Sequence, residues 1–216
     1  MYPLRMARSL AVAAGLAAIA FPSAASAASL TVSPQKRCYS SGEAVSLTGA
    51  GFVPSNDTSK HVQLDRGRTS VGRLSTDPFG AFVGTLTLGL DSGRETRTYT
   101  ATDLLDPSIT ASTQLTVSAV RVGLEPANGS PGRRLTVKAR GFTTGPTLWA
   151  HVIRGKSRRN VKVGQLEGAC GNLTIRRRLL PRDAAFGVHK LQFDTFQSYD
   201  PDRPVADRYT ITVSRF

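Results

Sequence analysis

Two cysteines, Cys38 and Cys170, are the only thiols in the chain and the residues best suited to form a covalent link. An even pair of cysteines tends to be bridged in the oxidising environment that an exported protein meets. Because one cysteine lies in each half of the sequence, the expected bond joins the two halves; two unpaired thiols are the alternative. Two thiols without partnered histidines fall short of a zinc set, so we expect neither a metal site nor a cofactor.

Positive charge is the second feature with chemical consequences, and it is unevenly divided. Residues 28–119 carry 8 Lys and Arg against 8 Asp and Glu, whereas residues 120–216 carry 18 against 7, a net charge of +11. Such a surface attracts polyanions through a salt-sensitive field. The residues expected to bind an acidic polymer are Arg133, Arg134, Arg154, Lys156, Arg158, Arg159, Lys162, Arg176, Arg178 and Arg182.

The alternative to a binding surface is ordinary solvated charge. Of the 28 basic residues 22 are Arg, which a GC-rich genome favours without any functional reason. No aromatic platform is interleaved with the basic run, as single-strand binders require, so we expect no specific nucleic-acid partner.

Trp149 is the only tryptophan, and alternation along residues 147–154 lets it face either the core or the outside. The two halves of the sequence are similar and can be aligned by matching Gly67 with Gly155. This alignment places Trp149 on the outward face, where it could stack on a sugar. A shift of one residue in this alignment would return Trp149 to the core. The core is the more common position for a tryptophan on the equivalent strand of β-sandwich domains, and it is the position that we favour.

Arg177 shares a strand face with apolar residues. It aligns with Leu86, and a charge at such an inward position would need a partner. We therefore expect this strand end to leave the core, so that the Arg177 side chain reaches solvent.

Catalytic motifs are missing from the sequence. His61, His151 and His189 are dispersed, and no nucleophile-elbow, zinc-protease or phosphate-loop pattern occurs. Asp200 and Asp202 lack the further ligands of a calcium loop and are expected to form a turn. The sequence therefore predicts a protein that is not an enzyme.

The first residues have the pattern of a secretory signal peptide, predicted to cover residues 1–27. Arg5 and Arg8 precede an apolar run, and Ala25-Ser26-Ala27 fits the cleavage site. The apolar run is well short of the roughly 20 residues that span a bilayer. We therefore expect a secreted or extracellular protein without a membrane span, in some association with the cell envelope.

The rest of the chain contains two copies of one pattern. Val45-Ser-Leu-Thr-Gly-Ala-Gly-Phe52 and Leu135-Thr-Val-Lys-Ala-Arg-Gly-Phe142 share their alternation and their Gly-Phe ending. The copies predict two domains, residues 28–119 and 120–216, built from short strands of period two. In the second copy we expect strands at 120–125 (A), 134–142 (B), 147–154 (C), 160–166 (D), 171–180 (E), 187–196 (F) and 206–214 (G).

A proline that closes strand A, a turn at Ser41-Gly42 or Pro131-Gly132, and a strand B that ends in Gly-Phe resemble the bacterial immunoglobulin-like domains of the IPT/TIG type. The resemblance covers residues 29–216. It implies an all-β protein made of two tandem immunoglobulin-like β-sandwiches, with binding or spacer roles rather than an activity.

Strand direction in such a sandwich places the candidate residues. In an antiparallel sandwich entered at its top, strands A, C, E and G run downward, so the AB, CD and EF loops lie at the bottom. The ten basic residues then gather at the distal end of the second domain. Cys38, in the first AB loop, and Cys170, in the second DE turn, lie where the two domains meet.

Three functions are consistent with these features. The one that we favour is a secreted, non-enzymatic binding module whose second domain contacts acidic polymers of the cell envelope or extracellular matrix. The alternatives are an envelope-associated structural spacer and an accessory carbohydrate-binding protein centred on Trp149.

Overall fold

The structure is a computed structural model that describes residues 27–56, 59–126 and 130–213. The signal peptide predicted for residues 1–27 lies outside the described residues except for its last position. The described residues form β-strands joined by turns and loops. None of them belongs to a helix that is long and apolar enough to cross a membrane.

Residues 29–118 form the first sandwich. Its strands are β1 (Ser29–Ser33), β2 (Tyr39–Ser40), β3 (Ala44–Ala50), β4 (Val62–Arg66), β5 (Thr69–Leu74), β6 (Phe82–Thr87), β7 (Arg94–Asp103) and β8 (Thr110–Ser118).

Residues 121–213 form the second sandwich, which has the seven strands that the sequence predicts. They are β9 (Arg121–Glu125), β10 (Leu135–Arg140), β11 (Thr147–Arg154), β12 (Ser157–Gln165), β13 (Leu173–Arg177), β14 (Gly187–Asp194) and β15 (Asp207–Val213).

Each sandwich consists of two sheets, and the strand order is the same in both copies apart from the additional β2 of the first. The first sandwich has the orders β1-β3-β6 and β2-β8-β7-β4-β5, and the second has β9-β10-β13 and β12-β11-β14-β15. Neighbouring strands are antiparallel, except that the two-residue β2 runs parallel to β8. The chain is therefore an all-β protein of two immunoglobulin-like sandwiches, which confirms the predicted fold class.

Alternation along the strands gives each sandwich a hydrophobic core of its own. In β11, Leu148, Ala150 and Val152 are buried, and β10 buries Leu135 and Val137 in the same cluster. A separate cluster of buried side chains fills the first sandwich. Burying each aliphatic side chain contributes about 1.5–3 kcal/mol, so these inward residues determine which face of each strand meets the other sheet.

The repeated Gly-Phe sequence has a packing role in both copies. In the second copy Gly141 has φ = +83°, a left-handed conformation that favours glycine, and Phe142 enters the core with 1% exposure. A Cβ at Gly171 would lie 1.7 Å from the carbonyl oxygen of Phe142. The turn between β12 and β13, which contains Gly171, therefore packs directly on the Phe142 backbone. The first copy repeats the contact, since a Cβ at Gly80 would lie 2.1 Å from the Phe52 oxygen.

The strand predicted as D belongs to the other sheet of the second sandwich. The strand expected as D at 160–166 is β12, which pairs with β11 instead of β13 and is strand C′ of the immunoglobulin order. The turn explains the difference, because Gly155 at φ = +56° closes a tight β11–β12 hairpin with no length left to cross between sheets. The hairpin still turns at the predicted end of the sandwich.

The division into two domains leads to a first testable prediction. Residues 28–119 and 120–216, expressed separately with their cysteine replaced by serine, should each give the circular dichroism of a folded β-protein, because each contains both sheets and one core. Cooperative thermal unfolding of each fragment is the measurement that checks this. A fragment without cooperative unfolding at moderate temperature would show that the boundary near Ala119 does not separate independent domains.

Candidate functional site

A disulfide between Cys38 and Cys170, 132 residues apart, joins the two sandwiches. Cys38 precedes β2 and is 1% exposed, and Cys170 lies between β12 and β13 and is 7% exposed. The bond confirms the predicted link between the two halves, and it uses both cysteines of the chain. The end of the second sandwich that carries Cys170 therefore meets the first sandwich.

Hydrogen bonds around Thr143 make this junction specific. The Thr143 N–H donates to Ser40 Oγ at 2.9 Å, and the two hydroxyl oxygens lie 2.8 Å apart. Thr143 Oγ1 also donates to Glu43 Oε2 at 3.0 Å, and Lys36 forms an ion pair with the same carboxylate. Since Ser40 and Glu43 are buried, this network is shielded from water and favours one arrangement of the two sandwiches.

The ten basic residues predicted to bind a polyanion are all exposed, and contacts at the far end of the second sandwich gather several of them. Arg178 Nε donates to the Gly132 carbonyl oxygen at 2.7 Å, which ties the end of β13 to the turn before β10. Arg182 packs against the same glycine, and Arg154 donates to the Phe186 oxygen at 3.3 Å. This end is opposite the disulfide. Gly132 precedes β10, whereas Gly141, which follows β10, donates its N–H to the carbonyl oxygen of Cys170.

Five arginines line one groove, which we call the basic groove. It has a volume of about 310 Å³ and is lined by Arg134, Arg159, Arg176, Arg177, Arg178 and Val161. The groove follows the edge strands β12 and β13, one from each sheet, and Arg177 Nε bridges them by donating to the Lys162 oxygen at 3.1 Å. Among the described residues, none of the five arginines pairs with a carboxylate.

Six of the ten predicted residues lie outside the basic groove. Four of these six are at the distal end of the second sandwich, and the other two are on a sheet face. Arg158 and Lys162 pair in register with Ile153 and Trp149, so they belong to the outer face of the β12-β11-β14-β15 sheet. The sequence predicts a place for Lys162 at the distal end. It lies further from that end in the structure, because it is several residues along β12 from the β11–β12 turn. Arg177, in contrast, is a groove residue that the predicted binding set omits; its place between Arg176 and Arg178 was the available signal.

Trp149 lies on the outer face of the sheet and is half-buried, whereas Leu148 and Ala150 on either side of it are in the core. The core position that we favoured for Trp149 is therefore wrong, and the outward face given by the alignment with the first copy is correct. A contact between Trp149 and a sugar stays a prediction.

A buried ion pair lies on the same outer face. His151 and Asp194 are fully buried there, with His151 Nε2 3.2 Å from Asp194 Oδ1 and His151 Nδ1 2.8 Å from Asn160 Oδ1. The loop over residues 195–206, which we call the FG loop, covers them: Phe196 N–H donates to Asp194 at 2.8 Å, and the Tyr199 ring lies 5.7 Å from the imidazole. Because the pair is shielded from solvent, it holds the loop rather than contacting a substrate.

Both partners of this pair favour their charged forms. Burial lowers the pKa of His151, but its hydrogen bonds with Asp194 and Asn160 outweigh burial, and the pKa lies above the usual 6.5. Burial likewise raises the pKa of Asp194, but hydrogen bonds from His151, Gln192 and Phe196 outweigh it, and the pKa lies below 3.8. In the described part of the chain, no cluster of three or more His, Cys, Asp or Glu could hold a metal ion.

The pair predicts a pH dependence of stability. The raised pKa of His151 contributes stability that is present below the unfolded value and lost as pH rises through the folded one; the lowered pKa of Asp194 contributes stability that is lost as pH falls through its folded value. The pair should therefore stabilise fully between roughly pH 4 and 6.5. Unfolding free energies of wild type and Asp194→Asn should differ most in this window, and a constant difference from pH 3 to 9 would contradict the assignment.

Solved structures that match this chain do so at low sequence identity. The teleost fish polymeric immunoglobulin receptor ectodomain matches with 14% identity and a TM-score of 0.33, over 87% of this chain and 98% of that one. The fibronectin(III)-like modules of Clostridium thermocellum CbhA match with 16% identity and a TM-score of 0.27, over 85% and 93% of the two chains. The plexin A4 extracellular region matches with 13% identity and a TM-score of 0.34, over 87% of this chain and 16% of that one.

No protein-family model matches the sequence, and neither does any curated protein sequence. At these identities and TM-scores the structural neighbours carry no argument about function. The fold class rests on the strand order described above, and any function must be argued from the site itself.

Proposed function

We propose that the protein is an exported, non-enzymatic module that binds acidic polymers through the basic groove of its second sandwich. The observation that carries this proposal is the lining of the groove, in which five arginines face one space without a carboxylate partner. Some basic residues elsewhere on the surface have a carboxylate partner, as Arg97 has Glu95 and Lys138 has Glu125. Arginines held close together repel one another, and a polyanion relieves this repulsion while releasing its own counterions.

The shape of the groove fits a chain-like ligand better than a small anion. It runs along two edge strands, and the basic residues at the distal end, including Arg133, Arg154, Lys156 and Arg182, extend the positive surface beyond it. A polymer can contact many of these charges at once, so weak single contacts add up to useful affinity. Acidic polymers of a cell envelope or an extracellular matrix have this chemistry.

The junction supports a role outside the cytoplasm. A disulfide persists in oxidising compartments and is rare where thiols are kept reduced. Together with the buried Thr143 network, the disulfide gives the first sandwich a fixed position at the end opposite the groove. The same rigidity also suits a structural spacer, which is the second candidate function.

Binding of the exported protein to isolated envelope fractions tests the proposal. We expect the bound protein to be released by raising the salt concentration and not by free neutral sugars, because counterion release drives the contact. Release by sugar alone would favour the carbohydrate-binding alternative centred on Trp149. Absence of binding at low salt would contradict the proposal and favour the spacer.

A further inference from the structure

A second positively charged site lies on the outer face of the β12-β11-β14-β15 sheet. It is a cleft of about 280 Å³ between this face and the FG loop, and its lining includes Ile153, Lys190, Gln192, Tyr199, Arg208 and Thr210. We call it the outer cleft. No carboxylate contributes to its lining, although the FG loop contains Asp200 and Asp202. Its volume is just below the range of about 300–1,000 Å³ found for sites that hold a whole ligand, which suits one unit of a polymer.

The outer cleft is held open by contacts that fix the FG loop. Arg208 Nη2 donates to the carbonyl oxygens of Pro201 and Arg203 at 2.6 and 3.1 Å. Gln192 Nε2 donates to the Asp200 oxygen at 2.7 Å. The Arg158 guanidinium lies 4.8 Å from the centre of the Tyr199 ring and supports it from the β12 side. Because these contacts already fix the loop, binding in the cleft costs little further ordering of it.

The register of the strands brings the two cations of the cleft, Lys190 and Arg208, close together. Ile153 pairs with Lys190, which pairs with Thr210, and in the next row Gln192 pairs with Arg208. Lys190 and Arg208 are therefore diagonal neighbours on one face, within reach of a single ligand unit. Lys190 is exposed and makes no ion pair among the described residues, so it is available to an anionic group.

The chemistry of the outer cleft differs from that of the basic groove. The groove is lined by guanidinium groups and one valine, and it therefore recognises charge alone. The cleft combines two cations with the hydroxyl groups of Tyr199 and Thr210 and with the apolar surface of Ile153. The Gln192 side chain is buried beneath them and donates to Asp194 and to the Asp200 oxygen. A sugar unit that carries a carboxylate presents the same combination: one charge, several hydroxyl groups and an apolar ring face.

We propose that the outer cleft binds one uronic-acid unit, so that the acidic polymer recognised by this protein is a polysaccharide. The carboxylate of the unit pairs with Lys190 and Arg208, and its ring lies against Ile153 and Tyr199. This inference rests on the proposed function, and the edge strand β12 connects the two sites, because Arg159 faces the basic groove while Arg158 faces the outer sheet surface. A single polysaccharide chain can thus cross β12 and occupy both.

Two polymers distinguish the cleft from the groove. Binding of the full chain to polygalacturonate and to inorganic polyphosphate is compared for wild type, Lys190→Gln and the matched control Lys60→Gln, which removes an equal charge from the first sandwich. We expect Lys190→Gln to lose about 10-fold in affinity for polygalacturonate, and less than 2-fold for polyphosphate. The control should change neither. Equal losses for both polymers, or no loss for polygalacturonate, would overturn the proposal.

A short probe keeps this test separate from the proposed function. Trigalacturonate, added to the full chain, should shift the backbone NMR signals of Lys190, Gln192 and Arg208, and maltotriose at the same concentration should not. If polyphosphate does not bind wild type but trigalacturonate produces these shifts, the basic groove fails and the outer cleft stands. If both polymers bind and trigalacturonate leaves the three signals unchanged, the groove stands and the cleft proposal is overturned.

Discussion

Exchange of Arg176 and Arg178 for glutamate is expected to lower the affinity of the full chain for an acidic polymer by about 100-fold or more at low salt. The two substitutions remove two cations from the basic groove and add two anions to it. Each basic residue near a polyanionic surface contributes about 1 kcal/mol, so a change of four charges exceeds the 2.8 kcal/mol that corresponds to about 100-fold. Titration calorimetry with polygalacturonate at low ionic strength measures the loss.

The matched control reverses the same number of charges at the other end of the second sandwich. Arg121 and Arg140 pair in register on β9 and β10, at the ends of these strands that face the first sandwich. Glutamate at both positions should cost less than about 5-fold at 0.1 M salt, because exposed charges beyond about 10 Å are largely screened. Similar losses in the two variants would mean that net charge, and not the basic groove, attracts the polymer.

Removal of the disulfide has the second large expected effect. Cys38→Ser combined with Cys170→Ser should lower the unfolding free energy by about 2–5 kcal/mol, because the bond closes a loop of more than 100 residues in the unfolded chain. Chemical denaturation of the two proteins measures the difference. Mass spectrometry of the wild-type protein should find a Cys38–Cys170 cross-linked peptide and no free thiol.

The single variants supply the control for this prediction. Cys38→Ser and Cys170→Ser should each be about as unstable as the double variant, because the loss of either sulfur removes the same bond. Losses that add up in the double variant would show that packing of the two buried side chains, rather than the bond, accounts for the effect. An unchanged unfolding midpoint in all three would mean that the bond does not constrain the unfolded chain.

The strands and the faces of their residues could be predicted from the sequence because period-two alternation encodes both. The alternation in β10 and β11 identified the buried faces. Comparison of the two copies pointed to the outer face for Trp149, but we favoured the core because tryptophan is usually buried on this strand of such sandwiches. The disulfide followed from strand direction, which put the loops of Cys38 and Cys170 at the same junction. These inferences need only local pattern and antiparallel order.

Features that depend on contacts between distant loops could not be predicted in this way. The network of Thr143 with Ser40 and Glu43 joins residues about 100 positions apart, and nothing in their spacing marks them. The burial of His151 and Asp194 depends on an FG loop that folds back over a surface that alternation marks only as outward. Which sheet β12 joins depends on the short turn that connects it to β11. The basic groove exists because the edge strands β12 and β13 of the two sheets lie side by side.

The salt dependence of polymer binding tests the central claim most directly. We would measure the affinity of the full chain for polygalacturonate across salt concentrations, for wild type, Arg176→Glu with Arg178→Glu, and Arg121→Glu with Arg140→Glu. If the basic groove is the binding site, the logarithm of wild-type affinity falls steeply with the logarithm of salt, the groove variant has a clearly shallower slope, and the control keeps the wild-type slope. A wild-type slope near zero, or equal slopes in the two variants, would contradict polyanion binding by the groove.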